Sequence, residues 1–140
     1  MAVGNEKERR AAFVKHADIT IINRENLQWL VDYSGIPFDF DMVVIDELSS
    51  FKNHQSKRWK AMMKVRPRVK RIVGLTGTPA SNSLMDLWAE FRVLDMGERL
   101  GRFITAYRTD SEKSYKLERN LIFLLLKTLP NVIQLYCIII

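Results

Sequence analysis

Asp46 and Glu47 stand side by side behind four consecutive apolar residues, Met42-Val43-Val44-Ile45. Adjacent carboxylates in that setting can divide the work of metal-assisted hydrolysis. One holds magnesium, through water, because that ion gives up its hydration shell reluctantly. The other orients or deprotonates an attacking water. An apolar run closed by Asp-Glu is the Walker B pattern, with Asp46 as the magnesium carboxylate and Glu47 as the base. By itself the string is weak evidence, since two acids solvated at the end of a strand satisfy it as well.

The surrounding elements must bring that pair to a site. Consecutive apolar residues suit a strand covered on both faces, as in a parallel sheet. Asp18-Ile19-Thr20-Ile21-Ile22-Asn23 is a β-branched run ended by a turn former, a second strand. Arg71-Ile72-Val73-Gly74-Leu75 reads as a third, followed by a turn at Thr76-Gly77-Thr78-Pro79. Helices are expected over about Lys7 to Lys15, Arg24 to Val31 and Ser56 to Val65, and again from a cap at Ser83. In that last helix Leu84, Leu87, Trp88, Phe91 and Leu94 trace one face. Strands alternating with helices make the chain α/β, with a mainly parallel sheet flanked by helices. Polar groups collect at three strand ends, Asn23, Asp46-Glu47 and Thr76-Gly77-Thr78, and sites in open parallel sheets form outside such carboxyl ends.

Charge is placed unevenly. The 140 residues carry a net charge of +6, and Phe51 to Arg71 holds nine of the 22 basic residues with no acid. The rest of the chain is net acidic. Lys52, Lys57, Arg58, Lys60 and Lys64 are the candidates for contact with nucleic-acid phosphates; a solvated basic helix is the plainer alternative. A lone cysteine, Cys137, excludes an intrachain disulfide and fits a reducing, cytoplasmic compartment.

A second segment gives the carboxylate pair its context. Ile72-Val73-Gly74-Leu75-Thr76-Gly77-Thr78-Pro79-Ala80-Ser81-Asn82 resembles motif III of the Swi/Snf-type, DEAD-box-like helicases. Asp46-Glu47 stands where that group carries its Asp-Glu-x-His box, at the matching distance. Ile21 to Asn26 with Trp29-Leu30 is similar to the strand and helix before the box. Ser49 to Asn53 and Leu94 to Gly101 resemble phage-encoded members. The resemblance covers Met1 to Arg108 and implies part of a RecA-like P-loop NTPase lobe. It implies that Asp46 is the magnesium carboxylate and Glu47 the catalytic base of ATP hydrolysis. Thr76, Gly77 and Thr78 would couple the nucleotide to the nucleic acid, DNA or RNA. At the box itself Leu48 and Ser49 replace the usual small residue and His. The His-mediated link to motif III is therefore not expected, and His54 is expected at the surface.

No Gly-x-x-x-x-Gly-Lys-Ser/Thr occurs in the sequence. Such a loop supplies the backbone N–H groups and the lysine that hold phosphates. ATP and magnesium are thus cofactors implied for the parent family but not expected to bind this chain by itself. A separate chain could supply the P-loop or the second lobe. Residues 1–108 are expected to form a partial helicase ATP-binding lobe cut at the front, and 109–140 an irregular or helical apolar tail. The tail composition is that of an A/T-rich stretch read out of frame, pointing to a frameshift near Thr109. Its apolar runs, Leu121 to Leu126 and Val132 to Ile140, are broken by Lys127, Pro130, Asn131 and Gln134, short of the roughly 20 apolar residues of a membrane helix. With the P-loop strand missing, Ile72 to Leu75 would present an open sheet edge, on which Leu121 to Leu126 could pair.

Overall fold

The computed structural model describes residues 1–15, 17–77, 84–109 and 136–139. Its elements are α1 (Glu6–Val14), β1 (Ile19–Ile22), β2 (Met42–Ile45), α2 (Lys57–Val65), β3 (Arg71–Gly74), α3 (Leu84–Asp95), α4 (Ile104–Thr109) and β4 (Tyr136–Ile139). The alternation is that of an α/β chain. Four strands form one sheet in the order β1-β4-β2-β3, and every pairing is parallel.

Local chemistry sets the element boundaries. Asn5 caps α1 by accepting from the Glu8 backbone N–H at 3.0 Å, while the Glu8 carboxylate accepts from the Asn5 N–H at 2.8 Å. That reciprocal pair is a capping box. Ser56 caps α2 by accepting from the Trp59 N–H, which satisfies one of the donors a helix start leaves over. The expected helix over Arg24 to Val31 is instead a 3-10 turn at Arg24–Asn26 and a widened π turn at Trp29–Tyr33. Ser34 is the reason. Its N–H reaches back to the Trp29 carbonyl at 2.9 Å, and its buried hydroxyl donates to the Leu30 carbonyl at 2.6 Å. Those two bonds hold the last turn at the longer i to i+5 spacing.

The core lies where the sheet meets α2 and the turn after β2. Ile22, Leu27, Val43, Ile45, Phe51 and Met62 are fully shielded from solvent. Each such side chain contributes about 1.5–3 kcal/mol by leaving water. A second, smaller cluster joins Leu87, Trp88 and Phe91 of α3 to Leu100 and to Tyr107 of α4. Among the described residues no helix is long and apolar enough to cross a membrane.

Of the tail beyond Thr109 only Tyr136–Ile139 is described, and that segment departs from expectation. Tyr136–Ile139 is neither irregular nor helical but a strand, and it sits between β1 and β2. Backbone pairing on both sides explains the difference, because an apolar run that finds two strand edges satisfies its N–H and C=O groups on each. The run Leu121 to Leu126 and the cap residue Ser83 lie outside the described residues. Among the described strands, β3 is at the end of the sheet and pairs with β2 alone.

Candidate functional site

The β2–β3 ladder does not stop at the strand ends. The Leu75 N–H donates to the Ile45 carbonyl at 2.8 Å, and the Leu48 N–H donates to the Leu75 carbonyl at 2.7 Å. The chain after β2 and the chain after β3 are therefore laced together one residue at a time. Asp46 and Glu47 lie in this lacing, at the carboxyl end of the sheet, and both are exposed. Asp46 Oδ1 accepts from the Glu47 backbone N–H at 3.0 Å. Glu47 has φ 55° and ψ 64°, the left-handed region. A non-glycine residue there costs roughly 1–2 kcal/mol, and such residues concentrate where function needs a particular side-chain direction. The Glu47 carboxylate accepts from the hydroxyl of Ser49 and, at 3.4 Å, from that of Thr76.

The missing histidine thus leaves no gap between the two segments. A backbone bond through Leu48 and a hydroxyl–carboxylate contact join them. Leu48 also packs so close to Gly74 that a Cβ on Gly74 would lie 2.6 Å from Leu48 Cδ2. The leucine occupies room that only glycine leaves. Gly77, by contrast, has nothing among the described residues within 4 Å of where a Cβ would stand. Thr78 lies outside the described residues. His54 is half-buried, with its ring edge-on to Trp88 at 5.8 Å and to Trp59 at 6.3 Å. It belongs to an aromatic cluster in which Trp59 and Trp88 stack.

Glu90 on α3 escaped the sequence reading. It is 1% exposed, and among the described residues its buried Oε1 has no hydrogen-bond partner. Burial pushes its carboxyl up to about 8; the charges of Asp86 and Glu47 push the same way, and Lys52 opposes them. Glu90 is neutral at pH 7 and lies within electrostatic reach of the Asp46-Glu47 turn. A signal was readable: Glu90 is three residues after Leu87 and four before Leu94, so it falls on the apolar stripe.

The basic segment divides in three. Lys57, Lys60 and Lys64 are exposed along α2, and Lys52 and Arg58 are half-buried. Arg58 pairs with Glu25 at 2.7 Å and Lys64 with Asp32 at 2.6 Å. Arg66 is buried, and its guanidinium donates to the carbonyls of Val93 at 2.6 Å, Leu94 at 2.5 Å and Val69 at 3.1 Å. It closes the last turn of α3, whose carbonyls have no partners within the helix. Of the five candidate phosphate contacts, Lys57 and Lys60 are exposed and form no salt bridge among the described residues.

For magnesium the donor chemistry can be tested on Asp46. Among the described residues no group of three or more His, Cys, Asp or Glu could hold a metal. Magnesium in nucleotide sites takes one or two carboxylates and fills its remaining positions with water and phosphate oxygens. One exposed carboxylate at a strand end fits that role.

The model of the SNF2-related domain matches residues 2–134. Putative protein p41 of Acyrthosiphon pisum secondary endosymbiont phage 1 is 40% identical over 111 residues, covering 75% of this chain and 24% of the relative. An uncharacterized ATP-dependent helicase, MG018, of Mycoplasma genitalium is 34% identical over 95 residues, 64% of this chain and 8% of the helicase. The DNA excision repair protein ERCC-6-like of Mus musculus is 34% identical over 80 residues, 57% of this chain and 6% of that protein. The chain spans about a quarter of the length of the phage relative and less of the others. No solved structure matches it.

Proposed function

Because the chain belongs to the SNF2-related domain family, we propose that it forms the catalytic-carboxylate part of a RecA-like, DNA-dependent ATPase lobe, and that these 140 residues alone do not hydrolyse ATP. Asp46-Glu47 acts as the Walker B pair and Thr76-Gly77-Thr78 as motif III. Bound magnesium would neutralise phosphate charge, with Asp46 holding it. Glu47 orients the attacking water and takes its proton. Thr76 holds the Glu47 carboxylate and ties its position to the chain after β3. The single observation that carries this reading is the Thr76 hydroxyl on the Glu47 carboxylate, beside the Leu48-to-Leu75 backbone bond. It couples the two segments without the usual histidine. The phosphates would have to be held by a P-loop from elsewhere, either in a longer chain or in a separate one.

The test is a chimera. Residues 2–108 replace the matching segment of the Mycoplasma genitalium ATP-dependent helicase, and DNA-stimulated ATP hydrolysis is measured. The chimera is expected to turn over, and Glu47→Gln to lower turnover by about 10²–10⁴-fold, the usual worth of a positioned general base, while ATP still binds. An active chimera indifferent to Glu47→Gln removes the assignment. The chain alone should bind ATP no tighter than about 100 µM, roughly −5.5 kcal/mol.

A second reading rests on Lys57 and Lys60, exposed on α2. They would hold DNA phosphates without nucleotide chemistry, helped by Lys52, Arg58 and Lys64. Salt-dependent DNA binding by the chain that vanishes on neutralising Lys57 and Lys60 would favour it.

A further inference from the structure

Glu47 is exposed, so packing does not fix its side chain and hydrogen bonds must. Two hydroxyls supply them, and both meet the same oxygen. Ser49 Oγ donates to Glu47 Oε1, and Thr76 Oγ1 donates to it at 3.4 Å. A carboxylate oxygen offers about two lone-pair sites, so Oε1 is filled. Among the described residues no donor meets Oε2. The asymmetry matters for a base, because a proton is taken only at an oxygen with a lone pair free and within reach of it.

The turn after β2 explains how Ser49 comes to be there. Leu48 and Phe51 are both buried and are the two ends of the 3-10 turn Leu48–Phe51. Side chains at i and i+3 eclipse in a helix of that kind, so both enter the core. The Leu48 N–H on the Leu75 carbonyl, at 2.7 Å, pins the turn to the next segment. The Ser50 N–H donates to the Glu47 carbonyl at 2.9 Å, so the turn opens at Glu47 itself. Ser49 is left half-buried, two residues beyond the carboxylate it meets. Its place relative to Glu47 is set by one local turn. Thr76 stands 29 residues away along the chain, and its place depends on how two segments meet.

We propose that Ser49 is a positioning residue for the general base: its hydroxyl fixes the Glu47 carboxylate with Oε1 occupied and Oε2 presented to the attacking water. Ser49 holds the base itself, whereas Thr76 ties the base to the chain after β3. The proposal rests on the reading of Glu47 as the base. The orientation of the carboxylate does not, and it is measured without ATP.

The first measurement uses the full chain and the side-chain scalar couplings that report χ1 and χ2 of Glu47. One rotamer is expected in the unaltered chain and in Ser49→Thr, which keeps the hydroxyl. Ser49→Ala should show rotamer averaging, since fixing an exposed glutamate opposes its side-chain entropy. Ser50→Ala is the matched control. The Ser50 hydroxyl is buried without a partner among the described residues, so its loss should leave Glu47 in one rotamer. The second measurement uses the chimera described above. Ser49→Ala should lower kcat about 10- to 100-fold, the worth of a hydrogen bond to a charged group. KM should stay within about twofold, and Ser49→Thr should restore kcat. In the Glu47→Gln background Ser49→Ala should change kcat by less than about twofold, because no base is left to position. Rotamer averaging of Glu47 in the unaltered chain would overturn the proposal. So would an equal loss of kcat in both backgrounds, which would make Ser49 a structural residue only. A chimera that needs Glu47 but is indifferent to Ser49→Ala would overturn it while leaving the base assignment intact. A chimera indifferent to Glu47→Gln would remove the base assignment and this role with it, even where the couplings show the carboxylate held.

Discussion

The carboxylate turn and the basic helix were both legible as strings of residues, and tertiary structure treated them in opposite ways. Around Asp46-Glu47 the fold brought together what lies far apart in sequence. Thr76 reaches Glu47, and Leu48 is laced to Leu75. Around α2 the fold dispersed what lies close. Arg58 and Lys64 are matched by Glu25 and Asp32 from other segments, and Arg66 is buried against the end of α3. A motif whose parts sit at strand ends is completed by the sheet, because parallel strands deliver their carboxyl ends to one edge. A run of charge has no such guarantee. Its neighbours in space come from other elements, and opposite charges placed there cancel its field within a Debye length.

The largest effect is expected at Glu90, the buried acid within electrostatic reach of the carboxylate turn. Its folded carboxyl titrates near 8, above the unfolded value, so the folded state binds the extra proton. Stability is therefore highest below the unfolded value and falls as pH rises toward about 8, flattening beyond. The expected loss is on the order of 5 kcal/mol across that window. Glu90→Gln should remove most of the slope in urea unfolding followed at pH 5 and pH 8.5. Equal slopes in the two proteins would show that Glu90 is not held neutral.

The next largest effect is expected within the basic segment. Arg66→Met removes three hydrogen bonds and leaves buried carbonyls at the end of α3. It should cost about 2–4 kcal/mol, since an unsatisfied buried polar group costs about 1–3. A loss under about 0.5 kcal/mol, measured by urea midpoint, would return Arg66 to the surface set.

The smallest effect is at the exposed pair. Arg58→Ala should change stability by about 0.2–1 kcal/mol, as solvent-facing ion pairs do, and the change should shrink in 1 M salt. Measured DNA affinity that falls much more for Arg58→Ala than for Lys60→Ala would sharpen the comparison against the structure, by showing that the Glu25 pair opens.

Much of the fold was readable because its signals are local. The apolar run at Met42 to Ile45, the caps at Asn5 and Ser56 and the stripe on α3 each state an element within a dozen residues. The widened turn at Trp29–Tyr33 was not readable, since it depends on where the Ser34 hydroxyl lies. Nor was the burial of Glu90, although its place on the apolar stripe was a clue. The strand at Tyr136–Ile139 was missed for a third reason. An apolar four-residue run is compatible with helix, strand or coil, and only the edges beside it decide.

By itself, then, the sequence determined the α/β alternation, the carboxylate pair at a strand end, the threonine-glycine segment at its matching distance and the absence of a phosphate loop. The first two follow from periodicity and residue chemistry along the chain, and the last two from its resemblance to Swi/Snf-type helicases. Tertiary structure alone decided that Leu48 and Thr76 link the pair to the next strand, which cations are solvent-facing, that Glu90 is held neutral, and which strand stands between β1 and β2. Each of those depends on groups far apart in sequence meeting in space, where burial and backbone pairing set the energy.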